Sequence, residues 1–132
     1  MPYNKLKILL VDDEPELQEV MAPLIKNWGY DYINALDGKA ALSSVIKEKP
    51  DIVILDYKMP GMDGIAALKE IRKVNNEIPV IIFTAYPDAK VIDGAEELGV
   101  VAFVPKFSVD FGVAKLLKEA IRLAEINLKF NK

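Results

Sequence analysis

The chain has no cysteine and no histidine among its 132 residues. Without thiols it can form neither a disulfide nor a thiolate metal site. Without imidazoles it has no histidine base, nucleophile or metal ligand. No apolar run approaches the length of a membrane span, and the N-terminus lacks the apolar segment of a signal peptide, so the expected location is cytoplasmic, with no membrane partner. A long basic run is also missing, and the net charge is -3. Direct nucleic-acid binding through a phosphate-neutralising patch is therefore not expected.

Hydrophobic residues make up 52% of the chain and charged residues 28%. That balance predicts a packed core rather than disorder, and the length suits one domain. The most informative stretch is Asp51-Ile52-Val53-Ile54-Leu55-Asp56, between Pro50 and the Pro60-Gly61 turn. Its unbroken apolar run predicts a strand buried on both faces, as in a parallel sheet. Asp56 then falls at the carboxyl end of that strand, the edge where open α/β sheets bind ligands. A lone Asp there is most often a turn residue. A second strand with the same punctuation, residues 5–11 followed by Asp12-Asp13-Glu14, argues otherwise.

After Pro15, residues Leu17, Val20, Met21, Leu24, Ile25 and Trp28 recur at helical spacing, with Gly29 as the stop and Pro23 inside. A short strand, Tyr30 to Ala35, alternates in character and suits a sheet edge. Asp37-Gly38 opens a second helix carrying Ala40, Ala41, Leu42, Val45 and Ile46, which ends before Pro50. Beyond the loop of residues 57–64, Ile65, Leu68, Ile71 and Val74 mark a third helix, with Asn75 to Glu77 as its exit. Pro79 to Phe83 is a fourth strand, ending at Thr84-Ala85, and residues 88–98 form a fourth helix with a thin apolar stripe and an interior Gly94. Val100 to Val104 is a fifth strand, followed by Pro105-Lys106. The last helix is expected from Asp110 to Ile126, with a polar tail from Asn127 to Lys132. Five strands alternate with five helices, which predicts an α/β, doubly wound parallel sheet between two helical layers. No composition shift marks a linker, so residues 1–132 read as one domain with its core at about 5–126.

Four strand ends carry pointed chemistry: Asp12-Asp13, Asp56, Thr84 and Lys106. Clustered carboxylates repel unless a cation neutralises them. Oxygen ligands without His or Cys select a hard ion, Mg²⁺ before Zn²⁺. A carboxylate beside such an ion, with a Lys and a hydroxyl, can act as a nucleophile toward a phosphoryl group.

The motifs Ile8 to Glu14, Leu55 to Gly64, Phe83-Thr84-Ala85 and Val104-Pro105-Lys106 together resemble those of the receiver domains of bacterial two-component response regulators, the chemotaxis-regulator superfamily. The resemblance spans about residues 5–126. It implies the flavodoxin-like strand order 2-1-3-4-5. It also implies that Asp56 accepts a phosphoryl group from a phosphohistidine of a sensor histidine kinase or histidine phosphotransfer protein. Asp13 and Asp56 would hold Mg²⁺ directly with the Lys58 backbone carbonyl, and Asp12 through water. Lys106 would pair with the phosphoryl oxygens. The Thr84 hydroxyl and the aromatic Phe103 would be the switch, changing the affinity of the face formed by the fourth helix, fifth strand and last helix for a downstream protein. Such a domain catalyses its own phosphorylation and dephosphorylation and is otherwise not an enzyme. The family usually has a cis proline after the Lys. Phe107 stands there instead, and a cis bond would cost ~3 kcal/mol, so the bond is either strained or trans with Lys106 aimed differently.

Lys58 and Tyr86, two residues beyond Asp56 and Thr84, occupy positions that in the family tune access of water to the acyl phosphate. Their pairing resembles the single-domain receiver of the sporulation phosphorelay, implying a long-lived phosphoryl group. The bland reading is two ordinary exposed side chains. Other function classes fit less well. An Asp-nucleophile phosphatase needs a second Asp at position 58, which is Lys. A flavin module would have its phosphate repelled by Asp12-Asp13-Glu14. An interaction module that works without phosphorylation would be expected to have lost an acid or the Lys. The receiver part of a longer transcription regulator stays open beside a stand-alone protein.

Overall fold

In the computed structural model, residues 5–57, 63–85, 89–106 and 111–130 are described. The elements alternate as expected: β1 (Lys7–Val11), α1 (Pro15–Asn27), β2 (Asp31–Ala35), α2 (Gly38–Glu48), β3 (Ile52–Leu55), α3 (Gly64–Val74), β4 (Val80–Thr84), α4 (Ala89–Glu97), β5 (Ala102–Pro105) and α5 (Phe111–Phe130). The five strands form one parallel sheet in the order β2-β1-β3-β4-β5. β2 is at an edge, in keeping with its alternating sequence.

The continuous apolar runs are explained by two cores, one on each face of the sheet. Ile8, Leu10, Ile52, Ile54, Ile81 and Phe83 point toward α1 and α5. Leu9, Val11, Val53, Leu55, Val80 and Ile82 point the other way, toward α2 and α3. Successive strand residues thus serve opposite layers, as a period of two requires. No described helix is long and apolar enough to cross a membrane.

The starts of α2 and α3 follow their capping residues. Asp37 Oδ1 accepts from Ala40 N at 2.7 Å, and Asp63 Oδ1 accepts from Ala66 N at 2.8 Å. Two ends share one device. Gly29 and Gly99 adopt φ of 101° and 75°. The following N–H groups, of Tyr30 and Val100, donate back to Ile25 O and Ala95 O. This is the Schellman arrangement, and glycine is the residue it favours. It also corrects two expected boundaries. Tyr30 and Val100 belong to helix caps, so β2 begins at Asp31, and β5 begins only at Ala102.

Three further expectations are corrected. The last helix continues past Ile126 to Phe130 because Leu128 extends its inward stripe and packs on the α1/α5 core. Val20 of α1 is 46% exposed, while Gln18 is buried at 5%. The inward line of α1 runs through Gln18, Met21 and Ile25, which places Val20 on its flank. Ile46 of α2 and Val74 of α3 are likewise exposed, on the flanks of lines centred on Ala41–Val45 and Leu68–Ile71. Trp28 is partly buried against the core, as its place in the stripe predicts.

Candidate functional site

β1 and β3 are neighbours in register, with Val11 beside Leu55. The Asp56 N–H donates to Val11 O at 2.9 Å, so Asp12 and Asp56 leave the sheet side by side. This is the point where strand order reverses, the crevice in which such sheets bind ligands. Oxygens of Asp12, Asp13 and Asp56 lie within 4.8 Å of one another. Asp12 is fully buried, Asp56 is 4% exposed, and Asp13 is half-buried at the opening.

Lys106 reaches this cluster from the end of β5. Its backbone N–H donates to Thr84 O at 2.7 Å, which ties the ends of β4 and β5 together. Its ammonium stands 2.5 Å from Asp12 Oδ2, 2.9 Å from Glu14 Oε1 and 3.3 Å from Asp56 Oδ2. Burial pulls the Lys106 pKa down. Hydrogen bonds to Asp12 and Glu14, with the charges of Asp12 and Asp56, outweigh it and hold the group well above its ordinary value. For Asp12 burial wins: its carboxyl is raised above the usual carboxylate range although Lys106 and the Glu14 N–H pull it down. Thr84 is buried at the end of β4. Phe103 is half-buried on β5 and packs on the core beneath α2 and α3.

The expected site residues Asp12, Asp13, Asp56 and Lys106 therefore converge, and Thr84 sits at the adjoining strand end. Lys58, Tyr86 and the Lys106–Phe107 bond lie outside the described residues. Two participants were not anticipated. Glu14 contributes a carboxylate to Lys106, which its place directly after Asp12-Asp13 could have suggested. Gln18 lies beneath the acids, and its position three residues before Met21 and seven before Ile25 put it on the inward helical line.

The donor set can be tested against a cation. Three carboxylates, of Asp12, Glu14 and Asp56, contact one ammonium, Asp13 lies beside Asp12 and Asp56, and every potential ligand is an oxygen. Buried Asp12 and Asp56 supply fixed negative charge, while half-buried Asp13 leaves the group open to water. Such a set fits a hard divalent ion that keeps part of its hydration.

A 2-1-3-4-5 parallel sheet with three acids and a lysine at its switch point defines the receiver class of signalling proteins. The chain matches the response regulator receiver domain over residues 8–120 and belongs to that family. Among individual relatives, it is similar to sporulation initiation phosphotransferase F of Bacillus subtilis (strain 168), at 41% identity over 105 residues, which cover 79% of this chain and 85% of that protein. It is 37% identical over 106 residues to the transcriptional regulatory protein ZraR of Escherichia coli (strain K12), covering 80% of this chain but 24% of ZraR. Of solved structures, a response regulator receiver domain from Clostridium thermocellum superposes with a TM-score of 0.86 at 28% identity, covering 96% of this chain and 99% of that one.

Proposed function

We propose that Asp56 is the phosphoacceptor of this receiver domain. The observation that carries the reading is its carboxylate, 4% exposed at the end of the central strand, with the Lys106 ammonium at 3.3 Å and the oxygens of Asp12 and Asp13 close by. A carboxylate oxygen of Asp56 attacks the phosphorus of a phosphohistidine. The phosphorus–nitrogen bond breaks, and the imidazole leaves with a proton. Lys106 stands where it can neutralise the phosphoryl oxygens. Asp13 and Asp56, with Asp12 through water and the Lys58 carbonyl, are the residues that would hold Mg²⁺, whose bound charge offsets that of the transferring group. The chain thus promotes its own phosphorylation and dephosphorylation rather than turning over an external substrate.

The donor is a sensor histidine kinase or a histidine phosphotransfer protein, as the lack of histidine in this chain is consistent with. Such donors place the domain in the cytoplasm. Thr84 and Phe103 act as the switch. The Thr84 carbonyl already bonds the Lys106 N–H, so a shift at Thr84 reaches β5 and the α4–β5–α5 face that a downstream protein reads. Similarity to a protein named as a phosphotransferase favours a relay. Similarity to a segment of ZraR favours a receiver within a longer regulator, and both readings use the same site. Intact-mass spectrometry after treatment with acetyl phosphate and Mg²⁺ tests the assignment. One phosphoryl group is expected in the parent and none in Asp56→Asn. Undiminished labelling of that variant would move the acceptor elsewhere.

A further inference from the structure

Gln18 is the one polar side chain of α1 that the core swallows. Its Nε2 lies 3.1 Å from Leu10 O, 3.2 Å from Asp12 O and 3.2 Å from Ala35 O. Its Oε1 accepts the Tyr32 hydroxyl. Three carbonyls surround the nitrogen and a hydroxyl faces the oxygen, so only one orientation of the amide satisfies all four partners. Two N–H groups are shared among three acceptors drawn from the ends of β1 and β2. A side chain that merely filled this space would be apolar, and its burial would leave those carbonyls without this donor.

The contact with Asp12 O has a particular consequence. β1 ends at Val11, so the sheet ladder stops one residue short of the acids. Beyond that point the Asp12 N–H still donates to Ala35 O at 3.0 Å. The Asp12 carbonyl, which belongs to the peptide plane joining Asp12 to Asp13, is held by Gln18. That plane sets where the Asp13 side chain departs, and Asp13 is the most open member of the acid cluster. We infer that Gln18 is a positioning residue: by holding the Asp12–Asp13 peptide plane from below, oriented by Tyr32, it sets the placement of the Asp13 carboxylate for a divalent cation. This rests on the reading of Asp12, Asp13 and Asp56 as a cation site.

The test is Mg²⁺ titration followed by the Asp13 amide resonance, with thermal unfolding measured alongside. Gln18→Met keeps the length and removes both donors. It is expected to weaken Mg²⁺ binding by about tenfold, the lower end for residues that orient metal ligands. Tyr32→Phe keeps the three carbonyl contacts but frees the amide to turn, so a smaller loss is expected. Ile25→Val, a core truncation remote from the acids, should lower the melting temperature and leave Mg²⁺ affinity unchanged. Gln18→Met binding Mg²⁺ as tightly as the parent would overturn the inference, whatever its melting temperature. Should Gln18→Met not fold, unchanged affinity in Tyr32→Phe overturns it equally. A parent that shows no Mg²⁺-dependent shift at Asp13 would instead refute the cation site, and the inference with it.

Discussion

Gly64 opens α3 against the carboxyl end of β3, and replacing it with alanine should misplace Asp56. A Cβ at this position would stand 2.5 Å from the Asp56 carbonyl oxygen and 2.6 Å from Tyr57 Cα. Even close carbon–oxygen contacts between backbones are about 3.3 Å. Roughly 0.8 Å of separation must therefore be found, by the same principle. Neither neighbour yields easily, because both are backbone. The Asp56 N–H is bonded into the sheet at Val11 O, and the Gly64 N–H donates to Tyr57 O at 2.5 Å. Alanine returns about 0.5–1 kcal/mol of helix preference over glycine. Overpacking costs about 1–3 kcal/mol. The steric term wins, leaving a net loss of roughly 1–2 kcal/mol, or a fall in melting temperature of roughly 3–8 °C for a domain of this size. Phosphorylation should suffer more than stability, since a displacement near 1 Å at a reacting group can cost roughly 100-fold in rate. Calorimetry and the rate of acetyl-phosphate labelling measure the two effects. A Gly64→Ala protein that melts no lower than the parent and labels at the same rate would refute the reasoning.

Asp12→Asn should stabilise the cation-free protein at neutral pH. Burial raises the Asp12 pKa above its ordinary 3.8, so its contribution is favourable when protonated and is lost as pH rises through the folded-state value. The advantage of the variant should shrink as pH falls toward about 4, and thermal unfolding from acid to neutral pH without divalent cations checks it. A variant less stable than the parent at neutral pH would mean that the pairing with Lys106 outweighs burial. α4 should exchange its amides faster than α1, because Ala95 is its only fully buried residue among those described, while Arg72 fastens its C-terminal turn through Leu98 O at 2.8 Å. Gly94→Ala, whose Cβ would meet Ile65 at 3.7 Å, should slow that exchange by stabilising the helix by about 0.5–1 kcal/mol. Lys58→Asn should speed loss of the phosphoryl group by roughly tenfold, equivalent to about 1.4 kcal/mol on the barrier, if the lysine shields Asp56 from water. Equal decay in parent and variant would remove that support for a relay.

Much of this molecule is local in origin and so was legible in the residues. An apolar run of four to five between turn residues makes a strand buried on both faces. The first polar residue after it marks the sheet edge, which is how Asp12, Asp56, Thr84 and Lys106 could be named from spacing alone. Helix existence followed from periodicity, and Gly29 and Gly99 marked two helix ends through their tolerance of positive φ. Periodicity does not say which way a stripe points. Val20 and Gln18 lie close together on α1, and only packing against β1 and β2 put Gln18 on the inward line and left Val20 on its flank at the surface. The end of α5 depended on what Leu128 could cover, and the starts of β2 and β5 on N–H groups that turned back to cap α1 and α4. The joining of Lys106 to Glu14 and of Gln18 to Asp12 and Ala35 also belongs to the tertiary structure. A buried polar group is bound by whatever carbonyls and charges the neighbouring elements bring to it, and for Lys106 and Asp12 those lie 94 residues apart in the chain.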